Sequence, residues 1–525
     1  MPGSRSSRLR RLFELLAAVA LAAAVAAGSL YYFSPDFLSY GDAAAHLNIA
    51  RRIVDSKTPG YEQIGTVWLP LPHVAMVPLV RLDGWWQTGL AGAIPSATAF
   101  VVAAGFLFAS LRYALSSLPA WTGLLLFLLN PNALYLGSIP MTEPYFLATL
   151  FATLYSVLRA SKENKPSWAA AAGIAASLGT LVRYEGWFLL PFFAVFLYLT
   201  TPRLAWRCTL TFIVFGVTGP LYWLAHNRFY YGDPLEFYHG PYSAKAIYQR
   251  ALDAGMARYP GDHNWGQALL YFATAAKLVA GQTLAWLGLA GCVFALYRRR
   301  WSLVTLLALP PVFYVLSLYS SGTPIFVPDL WPHSYYNSRY GLAAFPLLCA
   351  GAAVLATRWW VGVFVVATSV APWLFPVNPD GWICWKESQV NSEARRQWTA
   401  QAADYIKQNW DGRDILTSFG DLAAIYQQAG IPLAKTVHEG NGVYWQAVHA
   451  RPDLFLRSEW VVAIAGDSLS RTIWKTQARG PKYRCVRIVA VKGAPVIEIY
   501  RRGSQVRLPQ EEPPPVQERT EFNDQ

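Results

Sequence analysis

The sequence predicts a polytopic α-helical membrane protein of about 11 transmembrane helices, followed by a C-terminal α/β domain. Three observations lead there. Of 525 residues, 54% are hydrophobic and only 14% charged, where an ordinary globular chain carries about 25% charged. Apolar stretches of spanning or near-spanning length recur along the first 375 residues. The formal charge of +13 is also uneven: +11 lies in residues 1–375 and +2 beyond them. A nucleic-acid binder collects its basic residues on one soluble face. Here they punctuate apolar runs, as the positive-inside rule requires of a membrane protein. Five cysteines without a C-x-x-C pair give neither a disulfide framework nor a zinc site.

The predicted spans are 12–32, 88–111, 119–137, 143–160, 168–184, 186–201, 208–227, 267–296, 302–320, 340–357 and 359–375. The first follows Arg5, Arg8, Arg10 and Arg11. It reads as a span or, being Ala-rich with a basic start, as a signal peptide; the downstream orientation is the same either way. With the N-terminus cytoplasmic, the even connections hold Arg112, Arg159–Lys165, Arg203, Arg207, Arg298–Arg300 and Arg358. The opposite side then holds 12 of the 14 acids in this part. The expected location is the cell inner or plasma membrane, with everything after residue 375 extracytoplasmic.

Three outer connections are long: 33–87, 228–266 and 321–339. The first contains a helical piece, Asp42 to Asp55, then Trp68-Leu69-Pro70-Leu71-Pro72-His73, a composition suited to re-entrant or interfacial helices. The expected domains are therefore 1–375, embedded in the bilayer, and 376–502, extracytoplasmic. Helical stretches at 391–409, 421–429, 442–450 and 469–478 alternate there with β-like runs at 414–418, 460–465, 484–491 and 494–500. Residues 503–525, with three consecutive prolines among Glu and Gln, are expected to be disordered.

No Walker loop, G-x-S-x-G or H-E-x-x-H is present. The chemistry-bearing candidates are acids and arginines beside spans, because charge at membrane depth is costly and usually functional. Asp42 opens the first outer helix, where an N-cap is the plain reading, and His46 shares its face four residues on. Glu143 stands in Thr142-Glu143-Pro144 at the start of the fourth span, where a first-turn acid also suits the helix dipole. Arg183 and Glu185 flank Tyr184 in Arg183-Tyr184-Glu185-Gly186-Trp187, either as a local ion pair or as part of a site. Arg339, in Asn337-Ser338-Arg339-Tyr340-Gly341, is a cation against the positive-inside bias and invites an anionic partner.

Taken in order and sidedness, these motifs resemble the GT-C superfamily of membrane glycosyltransferases. That superfamily includes dolichyl-phosphate-mannose–protein mannosyltransferases and lipid A aminoarabinose transferases. The resemblance also uses Gly232-Asp233-Pro234-Leu235 with Gly240-Pro241-Tyr242-Ser243, and it covers roughly residues 12–375. It implies a sugar transferase whose first-loop acid, here Asp42, is the catalytic base and whose second-loop acid is Glu143. The chain departs from the family in three places. Asp42-Ala43 stands where protein mannosyltransferases have an Asp-Glu pair, and Trp68-Leu69-Pro70-Leu71 where aminoarabinose transferases have Lys-Pro-Pro-Leu. The D-x-D-like metal pair of oligosaccharyltransferases is missing from the second loop.

A transferase with an extracytoplasmic site uses a polyprenyl-phosphate-linked sugar, since nucleotide sugars are cytoplasmic. A carboxylate accepts the proton of the attacking hydroxyl. Arginine steadies the leaving phosphate with two parallel hydrogen bonds, a role assigned to Arg339 and Arg183. His46, Trp68, His73, Glu185, Tyr242 and Tyr340 complete the expected substrate contacts. No cofactor is called for, and a divalent metal is possible but not indicated. The donor, the lipid bilayer and an acceptor (protein, glycolipid or polysaccharide) are the expected partners, and nucleic acid is not. Two other functions stay open: a transporter or flippase of lipid-linked intermediates, and a non-catalytic cell-envelope assembly subunit. A secondary expectation pairs Cys384 with Cys485.

Overall fold

The computed structural model describes residues 5–320, 323–375, 377–476 and 480–503. The tail expected to be disordered lies, except for Gly503, outside them. The chain divides into two compact units that do not follow chain order. One contains residues 1–37, 66–75 and 92–390; the other contains 38–65, 76–91 and 391–525.

The first unit is built of helices, with isolated antiparallel bridges pairing Phe326 with Tyr336 and Leu374 with Val377. Leu9–Tyr32, Leu90–Ala114, Ala205–Tyr231 and Trp301–Tyr319 are long and apolar enough to cross a membrane. Shorter apolar helices accompany them, including Ser117–Leu128, Glu185–Thr200 and Trp359–Leu374. Two expected spans turn out to be broken. The stretch 119–137 stops at Leu128 and restarts at Pro131. There the Asn130 side chain accepts a hydrogen bond from the Ala133 amide at 3.0 Å, and proline takes the first helical position. The stretch 267–296 is two helices, Trp265–Ala280 and Gln282–Tyr297, bent by 109°. Gly281 makes the bend, with a φ of +87° that a side chain would resist and the Trp373 ring 2.9 Å from where a Cβ would stand.

The second unit holds a five-stranded sheet: β1 (Ile415–Thr417), β2 (Thr436–Val437), β3 (Trp460–Ile464), β4 (Tyr483–Val489) and β5 (Ile497–Arg502). Their spatial order is β2-β1-β3-β5-β4. The first three strands are parallel and linked through helices, as βα units require, and β5 pairs antiparallel with both β3 and β4. Leu416, Val461, Ala463, Leu469, Ile473, Tyr483 and Tyr500 form one buried core. Each buried Leu, Val and Ile among them contributes about 1.5–3 kcal/mol by leaving water.

Pieces of the first long connection are built into this unit. Helix Gly41–Val54 lies beside helix Phe419–Ala429 through a closed ring of buried polar groups. The Asn48 amide donates to Gln427 (3.1 Å), Gln427 donates to the Trp86 carbonyl (2.6 Å), and the Trp86 indole donates to Asn48 (3.1 Å). Arg51 adds bonds to Asp55 (2.8 Å), Asp83 (2.7 Å) and the Val80 carbonyl. Asp55 in turn accepts the amides of Leu433 and Ala434. Buried amides left unpaired would cost about 1–3 kcal/mol each, so this loop has few alternatives to its observed place.

Among the described residues all five cysteines are free, with Cys384 buried and Cys485 exposed. The expected Cys384–Cys485 pairing is therefore not present. Cys384 is enclosed in the helical unit instead, its amide donating to Asn132 at 2.9 Å.

Candidate active site

Three helix ends in the first unit carry the charged residues. Glu143 is the first residue of helix Glu143–Glu163, with Pro144 fixing its opening turn. Glu185 likewise opens helix Glu185–Thr200, and Arg183 lies two residues before it. Arg339 sits in the 3₁₀ turn Ser338–Ala343, ahead of helix Phe345–Val354. Gly341 lets this turn approach helix Trp265–Ala280 closely, since a Cβ there would lie 2.4 Å from the Ala275 carbonyl oxygen.

These ends meet. Glu143 Oε1 accepts a hydrogen bond from Arg183 Nη1 at 3.1 Å and forms an ion pair with Arg339, whose Nε lies 3.0 Å away without hydrogen-bond alignment. Arg183 spreads its remaining donors over Glu185 (Nε, 2.7 Å), the Thr142 hydroxyl (Nη1, 2.7 Å) and the Tyr314 hydroxyl (Nη2, 2.7 Å). Tyr314 donates onward to Glu185. Both guanidiniums also lie over the Tyr340 ring, at 5.4 Å for Arg183 and 5.1 Å for Arg339. Glu143, Glu185 and Arg339 are buried. At low local dielectric their charges are tolerable only because each cation faces carboxylates. Glu143 Oε2 is buried and makes no hydrogen bond among the described residues.

Of the residues singled out in the sequence, Glu143, Arg183, Glu185, Arg339 and Tyr340 form this one cluster. Trp68 and His73 belong to the same unit, where their rings stack nearly parallel at 6.4 Å. Their segment is hydrogen-bonded to the Arg183 loop, with the Leu71 amide on the Leu181 carbonyl and the Tyr184 hydroxyl on the Val67 carbonyl. Tyr242 stands apart on the surface of the second long connection. Asp42 and His46 are in the second unit. There Asp42 is a first-turn acid of helix Gly41–Val54, and the N-cap is Tyr40, so the expected cap at Asp42 is corrected. His46 is buried one turn further on.

Sequence reasoning missed Tyr314 and Glu387. Tyr314 is a hydroxyl inside an apolar run, easily read as one more interfacial aromatic. Glu387 follows the last predicted span. Its buried carboxylate accepts the Asn337 amide (2.9 Å), the Ser338 amide (2.8 Å) and the Ser338 hydroxyl. Among the described residues no group of three His, Cys, Asp or Glu could hold a metal ion.

The second unit has its own buried polar cluster, at the C-terminal edge of β1 and β2. His438 is buried with its ring stacked on Phe419 at 4.2 Å, and its Nδ1 accepts the Gly440 amide at 3.0 Å. Burial, reinforced by Arg52, pushes its pKa down to about 3. The Glu439 carboxylate accepts the Phe419 amide at 2.9 Å, and burial raises its pKa.

Set against known proteins, this chain is an integral membrane protein that resembles the GT-C glycosyltransferases. A family model for dolichyl-phosphate-mannose-protein mannosyltransferase matches residues 86–223, which include Glu143, Arg183 and Glu185. The structure of ArnT from Cupriavidus metallidurans in the apo state is similar at a TM-score of 0.55 and 16% identity, covering 94% of this chain and 98% of that one. ArnT bound to undecaprenyl phosphate matches at 0.53 and 14%, covering 92% and 97%. The Archaeoglobus fulgidus oligosaccharyltransferase, in complex with Zn and sulfate, matches at 0.47 and 12%, covering 85% and 68%. A comparison with curated protein sequences finds no match.

Proposed function

We propose that the chain is an inverting glycosyltransferase that moves a sugar from a polyprenyl-phosphate donor to an extracytoplasmic acceptor. The observation that carries the reading is the convergence of Arg183 and Arg339 on one oxygen of Glu143, at 3.1 and 3.0 Å. Two guanidiniums at ion-pair distance from a single anionic oxygen, one of them hydrogen-bonded to it, offer the environment a phosphate oxygen needs. Glu143 keeps the pair together by compensating their charge. The family match over residues 86–223 and the fold shared with ArnT, which has been solved with undecaprenyl phosphate, support a lipid-phosphate donor.

In this mechanism the Asp42 carboxylate takes the proton of the acceptor hydroxyl as its oxygen attacks the anomeric carbon. The carbon–oxygen bond to phosphate breaks on the opposite face, which inverts the anomeric centre. The bond's electron pair leaves with the lipid phosphate, whose growing charge is met by Arg339 and Arg183. Trp68, Tyr242 and Tyr340 offer aromatic faces to sugars, while His46, His73 and Glu185 complete the contacts. In the topology proposed with this reading, about eleven spans place the N-terminus in the cytoplasm and the α/β domain outside. A flippase would instead place its charges near the bilayer midplane within two related halves.

The test is transfer in reconstituted vesicles by wild type and Asp42→Asn. The Asn variant is expected to be inserted and folded but inactive, because it removes the base while keeping a polar group in the helix's first turn. Substantial transfer by Asp42→Asn would return Asp42 to a helix-end role.

A further inference from the structure

We infer that Glu387 is a positioning residue that fixes the aim of Arg339. The inference rests on the phosphate-binding role proposed above for that arginine. Helix Ile383–Asn409 begins well before the stretch that the sequence marks as helical, and its first two turns are tied into the helical unit side chain by side chain. The Cys384 amide donates to Asn132 (2.9 Å), and the Trp385 indole and the Gln389 amide group donate to the two oxygens of Asp36 (2.9 and 2.8 Å). The Tyr135 hydroxyl donates to Ser388 at 2.8 Å. Glu387, 2% exposed, is thus held by a rigid element while its carboxylate reaches across to the turn that carries Arg339.

Its two oxygens take both backbone amides immediately before Arg339, and the Ser338 hydroxyl as well. For both amides to point at one carboxylate, Asn337 adopts the left-handed conformation, with a φ of +54°. Asparagine accepts this conformation more readily than most side chains, and the charge-assisted bonds to Glu387 hold it there. On its other side the turn is closed by the Gly341 contact with Ala275. Six residues of 3₁₀ helix cannot set their own direction, so Glu387 and helix Trp265–Ala280 fix it between them. Glutamine in place of Glu387 would turn an NH₂ donor toward a backbone N–H donor, and aspartate would be one methylene too short.

The experiment is a double-mutant cycle in reconstituted full-length protein with Glu387→Gln and Arg339→Lys. Sugar transfer and the binding of undecaprenyl phosphate, detected by native mass spectrometry, are both measured. Glu387→Gln is expected to lower transfer roughly tenfold, within the range for residues coupled through one network. In the Arg339→Lys background it should lower transfer by less than about threefold, because its effect passes through the arginine. A purely structural role would give equal losses in both backgrounds, and that result overturns the inference. Should Glu387→Gln fail to fold, Ser338→Ala removes only the hydroxyl donor and must show the same dependence on Arg339. If wild type binds the lipid phosphate but transfers nothing, the enzyme reading falls and the cycle is judged on binding. If wild type neither binds nor transfers, both readings are overturned.

Discussion

Arg183→Lys keeps a positive charge at the centre of the cluster and removes only the planar fork. In the native structure that fork bonds Glu185 through Nε, Thr142 and Glu143 through Nη1, and Tyr314 through Nη2, with the side chain 13% exposed. A lysine ammonium is a point donor that cannot lie between both carboxylates and reach both hydroxyls. At least two charge-assisted bonds are lost, each worth about 1.5–3 kcal/mol. Local relaxation and the retained charge return part of this, leaving a net destabilisation of about 3 kcal/mol. Arg183→Ala should cost about 3–5 kcal/mol, because it leaves Glu185 buried without its cation. The assay is equilibrium unfolding in mixed detergent micelles followed by tryptophan fluorescence. An Arg183→Lys variant within 1 kcal/mol of wild type would refute the claim that the fork geometry, rather than charge alone, holds these helix ends.

Two further outcomes follow from the same structure. Arg339→Lys should slow transfer by about 10²–10³ at saturating donor, the usual cost of one lost preorganised donor, and Arg339→Ala should slow it more. An equal rate for wild type and the lysine form, normalised to inserted protein, would make Arg339 an anchor. His438 gives a pH effect. Its folded pKa of about 3 lies below the ordinary histidine value of about 6.5, so only the unfolded chain takes up the proton between them. The stability this residue gives is complete above pH 6.5. It falls by about 1.4 kcal/mol per unit as the pH drops through that window, or about 2 kcal/mol by pH 5. Glu439, with its raised pKa, acts in the opposite sense. The measurement is therefore the difference between wild type and His438→Gln in hydrogen-exchange protection of helix Phe419–Ala429. A difference that does not change with pH would contradict the burial of a neutral imidazole.

Much of the architecture was legible in the order of residues alone, because apolar length and turn chemistry are local properties. The second-unit helices Phe419–Ala429, Val443–Ala450 and Ser468–Thr476, and all strands but the two-residue β2, lie within a few residues of the sequence reading. β2 exists only because Thr436 and Val437 pair with β1, and two residues carry no period of their own. The break at Gly281 escaped for a related reason: the helices on either side are both apolar and together long enough to span, and the backbone angle that makes the bend is not a composition signal.

The site divides along the same line. Each acid or arginine beside a span could be picked out singly, since a charge next to an apolar run is unusual wherever the chain goes. Which of them meet is a different kind of fact. Arg183 finds Glu143 40 residues away and Tyr314 131 residues away, and Arg339's turn is held by a carboxylate 49 residues further along. Nothing in the spacing of these residues encodes such pairs. The sequence alone supplied the charges and the helices that end beside them. Packing the helices decided that two arginines share one glutamate oxygen, because buried charges are tolerated only where the fold brings a counter-charge within about 3 Å.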